Sequence, residues 1–339
     1  MDFARSTRWM VLLAGVASAV ALQGCRITDM TLWKPDDGSW VHSCEVVTIK
    51  NVPYCDDAAG KDFRHRLDLY LPKDRVDFPV VVLVHGGAWV VGDNRCCGLY
   101  SSVGEFLASQ GIGVAMPNYR LSPGVKHPDH VQDVAKAVAW TRSHIAEYGG
   151  DPTNFYLAGH SAGGHLVALL ATDESYLKAE GVKTSDLKGV VAISGVYRIP
   201  TEKLQVQLGG STPISFGWDV MAPLRGDNLR NGPFLAALPG IPVSLDVFTP
   251  AFGRDARTRD AASPVNHVRP GLPPFLIFSA EKDLPVLPEM AEEFHRALVD
   301  QGCDARLVRI ENRNHNSIVF SAINTSDPVA QGILQFIRR

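Results

Sequence analysis

The chain has 339 residues, of which 45% are hydrophobic and 20% charged, and its formal net charge is -3. This composition excludes a disordered or low-complexity chain and is sufficient for a full globular core, in one large α/β domain with an insertion or in two small ones. The slightly negative balance speaks against a nucleic-acid partner, and no internal repeat is present.

The first 25 residues differ from the rest. Arg5 and Arg8 precede an apolar run over 9–22, which Gln23, Gly24 and Cys25 follow. A basic start, a short apolar core and small residues make a secretory signal. The run is too short for a comfortable transmembrane helix. Its end, Leu22-Gln23-Gly24-Cys25, resembles a bacterial lipobox, with Gln23 a less usual choice. The resemblance implies a signal peptide over 1–24 and a lipid-modified Cys25 as the first mature residue. Lipid chains then hold the protein to a membrane surface without a spanning helix. Arg26 is not the aspartate that resembles an inner-membrane retention signal. The expected place is therefore the outer membrane of a Gram-negative cell, or the periplasm or medium if the signal is plainly cleaved. Residues 25–43 read as a tether, and 44–339 as the folded domain.

Export makes disulfides possible. Beyond Cys25 there are Cys44, Cys55, Cys96, Cys97 and Cys303, an odd number that leaves at least one unpaired. Cys44 and Cys55 flank a short polar loop and are the simplest pair, with free thiols as the alternative. A bridge between adjacent Cys96 and Cys97 would be strained. No spacing resembles a zinc site.

Strands are expected over 46–52 and 66–71, the second alternating through Leu67, Leu69 and Leu71. Val80-Val81-Val82-Leu83-Val84 is a continuous apolar run, which predicts a central strand buried on both faces. It delivers His85-Gly86-Gly87-Ala88-Trp89, where two glycines let the backbone approach a ligand closely. A helix over 101–110 and a short strand over 113–116 lead to Asn118-Tyr119-Arg120-Leu121. A long helix is expected over 129–148, with Val131, Val134, Ala135, Val138 and Ile145 on one face. Strands follow over 155–158 and 190–193, separated by a buried helix over 166–171.

From 198 to about 260 the periodicity fails. This stretch is rich in Gly and Pro and carries Phe216, Trp218, Phe234, Phe248 and Phe252. A loop so long inside a compact domain is usually functional, and it reads as a lid insertion over the site. Regular order returns with a strand over 275–278, a helix over 289–299, a strand over 305–310 and a helix over 329–337. Alternating strands and helices imply a mostly parallel sheet covered on both faces. Ligands then bind beyond the carboxyl ends of the strands.

Gly159-His160-Ser161-Ala162-Gly163-Gly164 lies between an expected strand and an expected helix, and fits a nucleophile elbow. Such a turn strains the serine backbone, and small neighbours at Gly159 and Gly163 leave room for it. A serine hydroxyl is a weak nucleophile until a base takes its proton. The base is normally histidine, held in its tautomer by a carboxylate. In this sheet type the chain order is Ser, acid, His. Ser161, Asp283 and His315 obey it, each just after a strand. Glu281 is the rival acid. His160 is expected to turn into the elbow packing, His165 to be structural, and His267 to belong to the lid or surface. The backbone N–H groups of Gly87 and Ala162, with Gly86 or Ala88, are the candidate oxyanion hole.

Taken together, residues 66–339 resemble an α/β-hydrolase of the esterase and lipase group. His85-Gly86-Gly87-Ala88-Trp89, Asn118-Tyr119-Arg120-Leu121, the Gly159 to Gly164 elbow and Glu281-Lys282-Asp283 carry the resemblance. His-Gly-Gly-x-Trp is similar to the kynurenine formamidase, isoprenylcysteine methylesterase and bacterial carboxylesterase branch. Hormone-sensitive-lipase relatives usually have a third glycine where this chain has Ala88. The resemblance implies a serine carboxylesterase that cleaves small to medium esters through an acyl-enzyme, with no metal or organic cofactor. The alternatives are an arylformamidase-type amidase and a non-catalytic binding protein on the same scaffold.

Overall fold

A computed structural model describes residues 43–55, 63–201, 205–206, 243–244 and 248–339. The leader, Cys25 and the tether up to residue 42, and Phe216, Trp218 and Phe234 of the insertion, lie outside the described residues.

In chain order the strands and helices are β1 (Val46–Pro53), β2 (Arg66–Pro72), β3 (Phe78–Val84), α1 (Leu99–Ser109), β4 (Gly113–Pro117), α2 (Asp129–His144), β5 (Gly150–His160), α3 (Ala162–Thr172), α4 (Glu174–Ala179) and β6 (Leu187–Ile193). The two-residue strands β7 (Gln205–Val206) and β8 (Val243–Ser244) pair with each other. Then come α5 (Thr249–Phe252), α6 (Ala256–Ala261), β9 (Phe275–Lys282), α7 (Leu287–Asp300), β10 (Ala305–Asn314), α8 (Ser317–Phe320) and α9 (Pro328–Ile337).

One sheet has the order β1-β2-β4-β3-β5-β6-β9-β10. Its β1–β2 and β2–β4 pairs are antiparallel, and the pairs from β4 through β3, β5, β6 and β9 to β10 are all parallel. The mostly parallel sheet expected from the sequence is therefore present. Side chains alternate between its faces, as the strand period requires. Val80, Val82 and Val84 of β3 join a core with Val134 and Val138 of α2, Leu166 of α3 and Phe294 of α7. Val81 and Leu83 join a second core with Val103 and Leu107 of α1 and Ile333 of α9. Two covered faces explain why the central strands read as unbroken apolar runs. Every residue of α3 is buried, so this helix carries no polar face.

The structure decides one open choice and corrects two expectations. Cys44 is a free thiol, so no bridge joins it to Cys55. The two cysteines stand at opposite ends of the extended strand β1. At about 3.3 Å per residue that separation is far beyond disulfide reach. The last strand runs on to Asn314, past a register break between Ile310 and Asn314 where Asn312 takes a positive φ of 56°. The expected strand stopped at this irregularity because the alternation is lost there. Finally, the C-terminal part of the insertion is ordered as α5 and α6, and its Phe248 and Phe252 are buried. Helices of one or two turns are too short to display a 3.6-residue repeat.

Candidate active site

Parallel strands end on one edge of the sheet, and that edge collects the chemistry. β3 delivers the His85–Trp89 stretch, β5 delivers Ser161, β6 delivers Ser194, β9 delivers Asp283 and β10 delivers His315. Register aligns these ends. His160 pairs with Ile193, Ile193 with Phe278, and Lys282 with Asn314.

The elbow is as tight as its sequence implies. Ser161 has φ 55° and ψ -118°, a strained region for a non-glycine residue. A Cβ on Gly159 would lie 2.3 Å from the Gly163 carbonyl oxygen. One on Gly163 would lie 2.1 Å from the Val84 oxygen and 2.6 Å from the His85 oxygen. These obstacles are backbone and cannot swing aside. Gly163→Ala is accordingly expected to cost more than about 3 kcal/mol of stability. A denaturant midpoint equal to that of the unaltered chain would contradict this.

Ser161, His315 and Asp283 form one hydrogen-bonded line. The Ser161 Oγ lies 2.8 Å from His315 Nε2, and His315 Nδ1 lies 2.7 Å from Asp283 Oδ1. The Asp283 side chain is shut off from solvent and that of His315 is 12% exposed. Burial works to raise the Asp283 carboxyl, but His315, the Ser194 hydroxyl and the Leu284 N–H together outweigh it and hold the carboxyl below its ordinary value. A depressed folded pKa contributes stability that is present above the ordinary value of 3.8 and is lost as pH falls through the lower folded value. A neutral imidazole between a carboxylate and a hydroxyl can take the hydroxyl proton and return it.

Ser194 is the functional residue that the sequence reading missed. Its Oγ donates to Asp283 Oδ2 at 2.5 Å, while Asp283 Oδ1 accepts from the Leu284 N–H at 2.8 Å. Ser194 also has a positive φ of 46°. Its only sequence signal is its place just after a buried strand. We expect Ser194→Ala to lower kcat/KM about ten-fold, the worth of one hydrogen bond to a charged group. An unchanged value would show that Asp283 is held without it.

The rival residues are accounted for. Exposed Glu281 accepts from the Asn312 N–H at 2.7 Å and supports the β10 irregularity. His165 is buried and its Nε2 lies 2.7 Å from the Ala262 oxygen. His267 Nε2 lies 2.8 Å from the Ala261 oxygen. His160 Nε2 contacts the main-chain oxygen of His315 and not Ser161. Asn118-Tyr119-Arg120 is a support. Tyr119 donates to the His85 oxygen and stacks on its ring, and Arg120 grips Asp133.

The turn after β3 lies directly against the elbow, since a Cβ on Gly86 would sit 3.1 Å from the Ser161 Cβ. Gly87, Ala88 and Trp89 all take positive φ, at 119°, 50° and 61°. The turn closes on itself, with the Val90 and Val91 N–H groups donating to the Gly87 oxygen. Buried Trp89 anchors it, edge-on to Phe252 at 4.8 Å and to His165 at 5.1 Å. The four candidate oxyanion donors do not stand alike. The Gly86 N–H donates to the Tyr100 hydroxyl at 2.8 Å, so it is committed elsewhere. Among the described residues the N–H groups of Gly87, Ala88 and Ala162 donate no hydrogen bond.

Solved structures share this architecture along almost the whole chain. The esterase of Pyrobaculum calidifontis aligns with a TM-score of 0.64 and 22% identity, covering 98% of this chain and 90% of that one. The chain has the α/β-hydrolase fold. A truncated carbohydrate esterase from gut microbiota aligns with a TM-score of 0.62 and 20% identity, over 89% of this chain and 99% of that one. The BD-FAE family model matches residues 67–205, which hold the β3 turn and the elbow. The probable isoprenylcysteine α-carbonyl methylesterase ICMEL1 of Arabidopsis thaliana is 29% identical over 281 residues, 81% of this chain and 52% of that protein. Esterase LipC of Mycobacterium tuberculosis is 32% identical over 240 residues, 69% of this chain and 52% of that protein. The chain spans about half the length of these curated relatives.

Proposed function

We propose that this protein is a serine carboxylesterase acting on small to medium carboxylic esters. The observation that carries the reading is the line from Ser161 Oγ through the His315 ring to Asp283, at 2.8 and 2.7 Å. His315 Nε2 removes the Ser161 proton as Oγ attacks the ester carbonyl. Asp283 keeps the His315 proton on Nδ1 and steadies the imidazolium. The carbonyl oxygen becomes negative and is held by the Gly87 and Ala162 N–H groups, with Ala88 beside them. His315 gives its proton to the departing alcohol, leaving an acyl-enzyme on Ser161. Water, deprotonated by His315, then releases the acid and restores Ser161. The curated relatives named as esterases support the reaction class.

Hydrolysis of p-nitrophenyl esters from acetate to decanoate tests this reading, with N-formylkynurenine in parallel. Turnover peaking within the ester series is the expected result. Cleavage of the formyl amide alone would replace the reading with an arylformamidase. No turnover, and no labelling of Ser161 by a fluorophosphonate, would leave a binding protein. The proposal includes export and lipidation of Cys25, which the basic and apolar leader supports. The mature chain should then begin at an acylated Cys25 by mass spectrometry, and any other mature N-terminus would count against it.

A further inference from the structure

His160 takes no part in the chemistry proposed for Ser161, yet it is fully enclosed and joined to the site on both sides. Its Nε2 lies 2.7 Å from the main-chain oxygen of His315. Its Nδ1 lies 2.8 Å from the Tyr100 hydroxyl. That hydroxyl is the group to which the Gly86 N–H donates. Burial, and after it the charge of His315, push the His160 ring down to about 3, so it is neutral at any working pH.

The protons of this chain then have one arrangement. A carbonyl oxygen only accepts, so Nε2 carries the single ring proton and donates it to His315. The bare Nδ1 must accept, so the Tyr100 O–H donates to it. The Tyr100 oxygen in turn accepts from Gly86. A one-way chain thus runs from the turn after β3, through α1 and the elbow, to the main chain of His315. Aromatic packing encloses it, with Phe320 edge-on to Tyr100 at 5.0 Å and to His160 at 6.0 Å. On its other side the His315 turn is closed by Asn314 Oδ1, which accepts from the Asn316 and Ser317 N–H groups.

We propose that His160 is a positioning residue: as its Nε2–H tautomer it fixes the main chain of His315 and ties it, through Tyr100, to the oxyanion turn. The inference rests on the serine-hydrolase reading of Ser161 and His315. A shift of the His315 turn by a fraction of an ångström would misplace Nε2 from the serine oxygen, and a loss of alignment on that scale is costly to rate. The same chain explains why Gly86 contributes no oxyanion donor.

The test has two parts. Long-range proton–nitrogen spectra of the unaltered, histidine-labelled chain should show His160 protonated on Nε2, bare on Nδ1 and not titrating between about pH 5 and 9. Protonation on Nδ1, or titration in that range, would overturn the proposal without bearing on the esterase reading. In the second part, His160→Leu is expected to lower kcat and the fluorophosphonate labelling rate of Ser161 about 10- to 100-fold, with KM moved less than about 3-fold. His160→Gln offers an amide donor and an acceptor on one side chain, and should recover most of that loss. Equal losses in the two variants, or activity within about two-fold of normal in His160→Leu, would overturn the proposal. If His160→Leu does not fold, Tyr100→Phe cuts the same chain by one oxygen. A fall in kcat of about 3- to 10-fold is expected there, and no fall would count against the proposal. Full activity in Ser161→Ala would instead overturn the reading on which the inference rests.

Discussion

Ser161→Ala should lower kcat/KM on p-nitrophenyl esters by about a thousand- to a million-fold, and should abolish fluorophosphonate labelling. The size follows from what is removed. No other hydroxyl is bonded to His315 among the described residues, so the variant has no nucleophile and retains only binding and the oxyanion donors. The fold should survive, because alanine is smaller than serine and Ser161 caps no helix through its side chain. Thermal melting beside the activity assay checks both halves. An active variant would show that Ser161 is not the nucleophile.

Asp283→Asn should cost nearly as much, about a thousand- to ten-thousand-fold in kcat with little change in KM. The carboxylate accepts from His315, Ser194, Ala280 and Leu284. An amide carries donors where the site offers only donors. It also favours a His315 tautomer with the proton on Nε2, which cannot take one from Ser161. Glu281→Gln is the control, since Glu281 is exposed and bonded to the Asn312 N–H. It should leave kcat within about two-fold of the unaltered chain. If the two variants exchanged these results, Glu281 would be the acid. Steady-state kinetics on one ester distinguishes the cases.

These expectations rest on two kinds of information. The strand period, the all-apolar run before His85 and the small residues around Ser161 are local. Each follows from sterics or burial within a few residues of chain. Gly159 and Gly163 are legible for that reason, because the strain they relieve is created by their own turn. The order Ser161, Asp283, His315 is legible too, since a parallel sheet places all its strand ends on one edge whatever the loops do.

What only the tertiary structure decided are pairings across long separations. Gly86 is a candidate oxyanion donor beside Gly87 by sequence, yet its N–H is taken by Tyr100 on α1. Ser194 has no motif, and holds Asp283 because β6 and β9 are neighbours in register. His160 reaches a main-chain oxygen 155 residues away. Spacing alone leaves Cys44 and Cys55 as a pair or as free thiols, and β1 holds them apart. A local pattern records which face of an element is apolar. It does not record which hydrogen-bonding group stands across from it, because that depends on strand order and register, which the packing of the whole core selects.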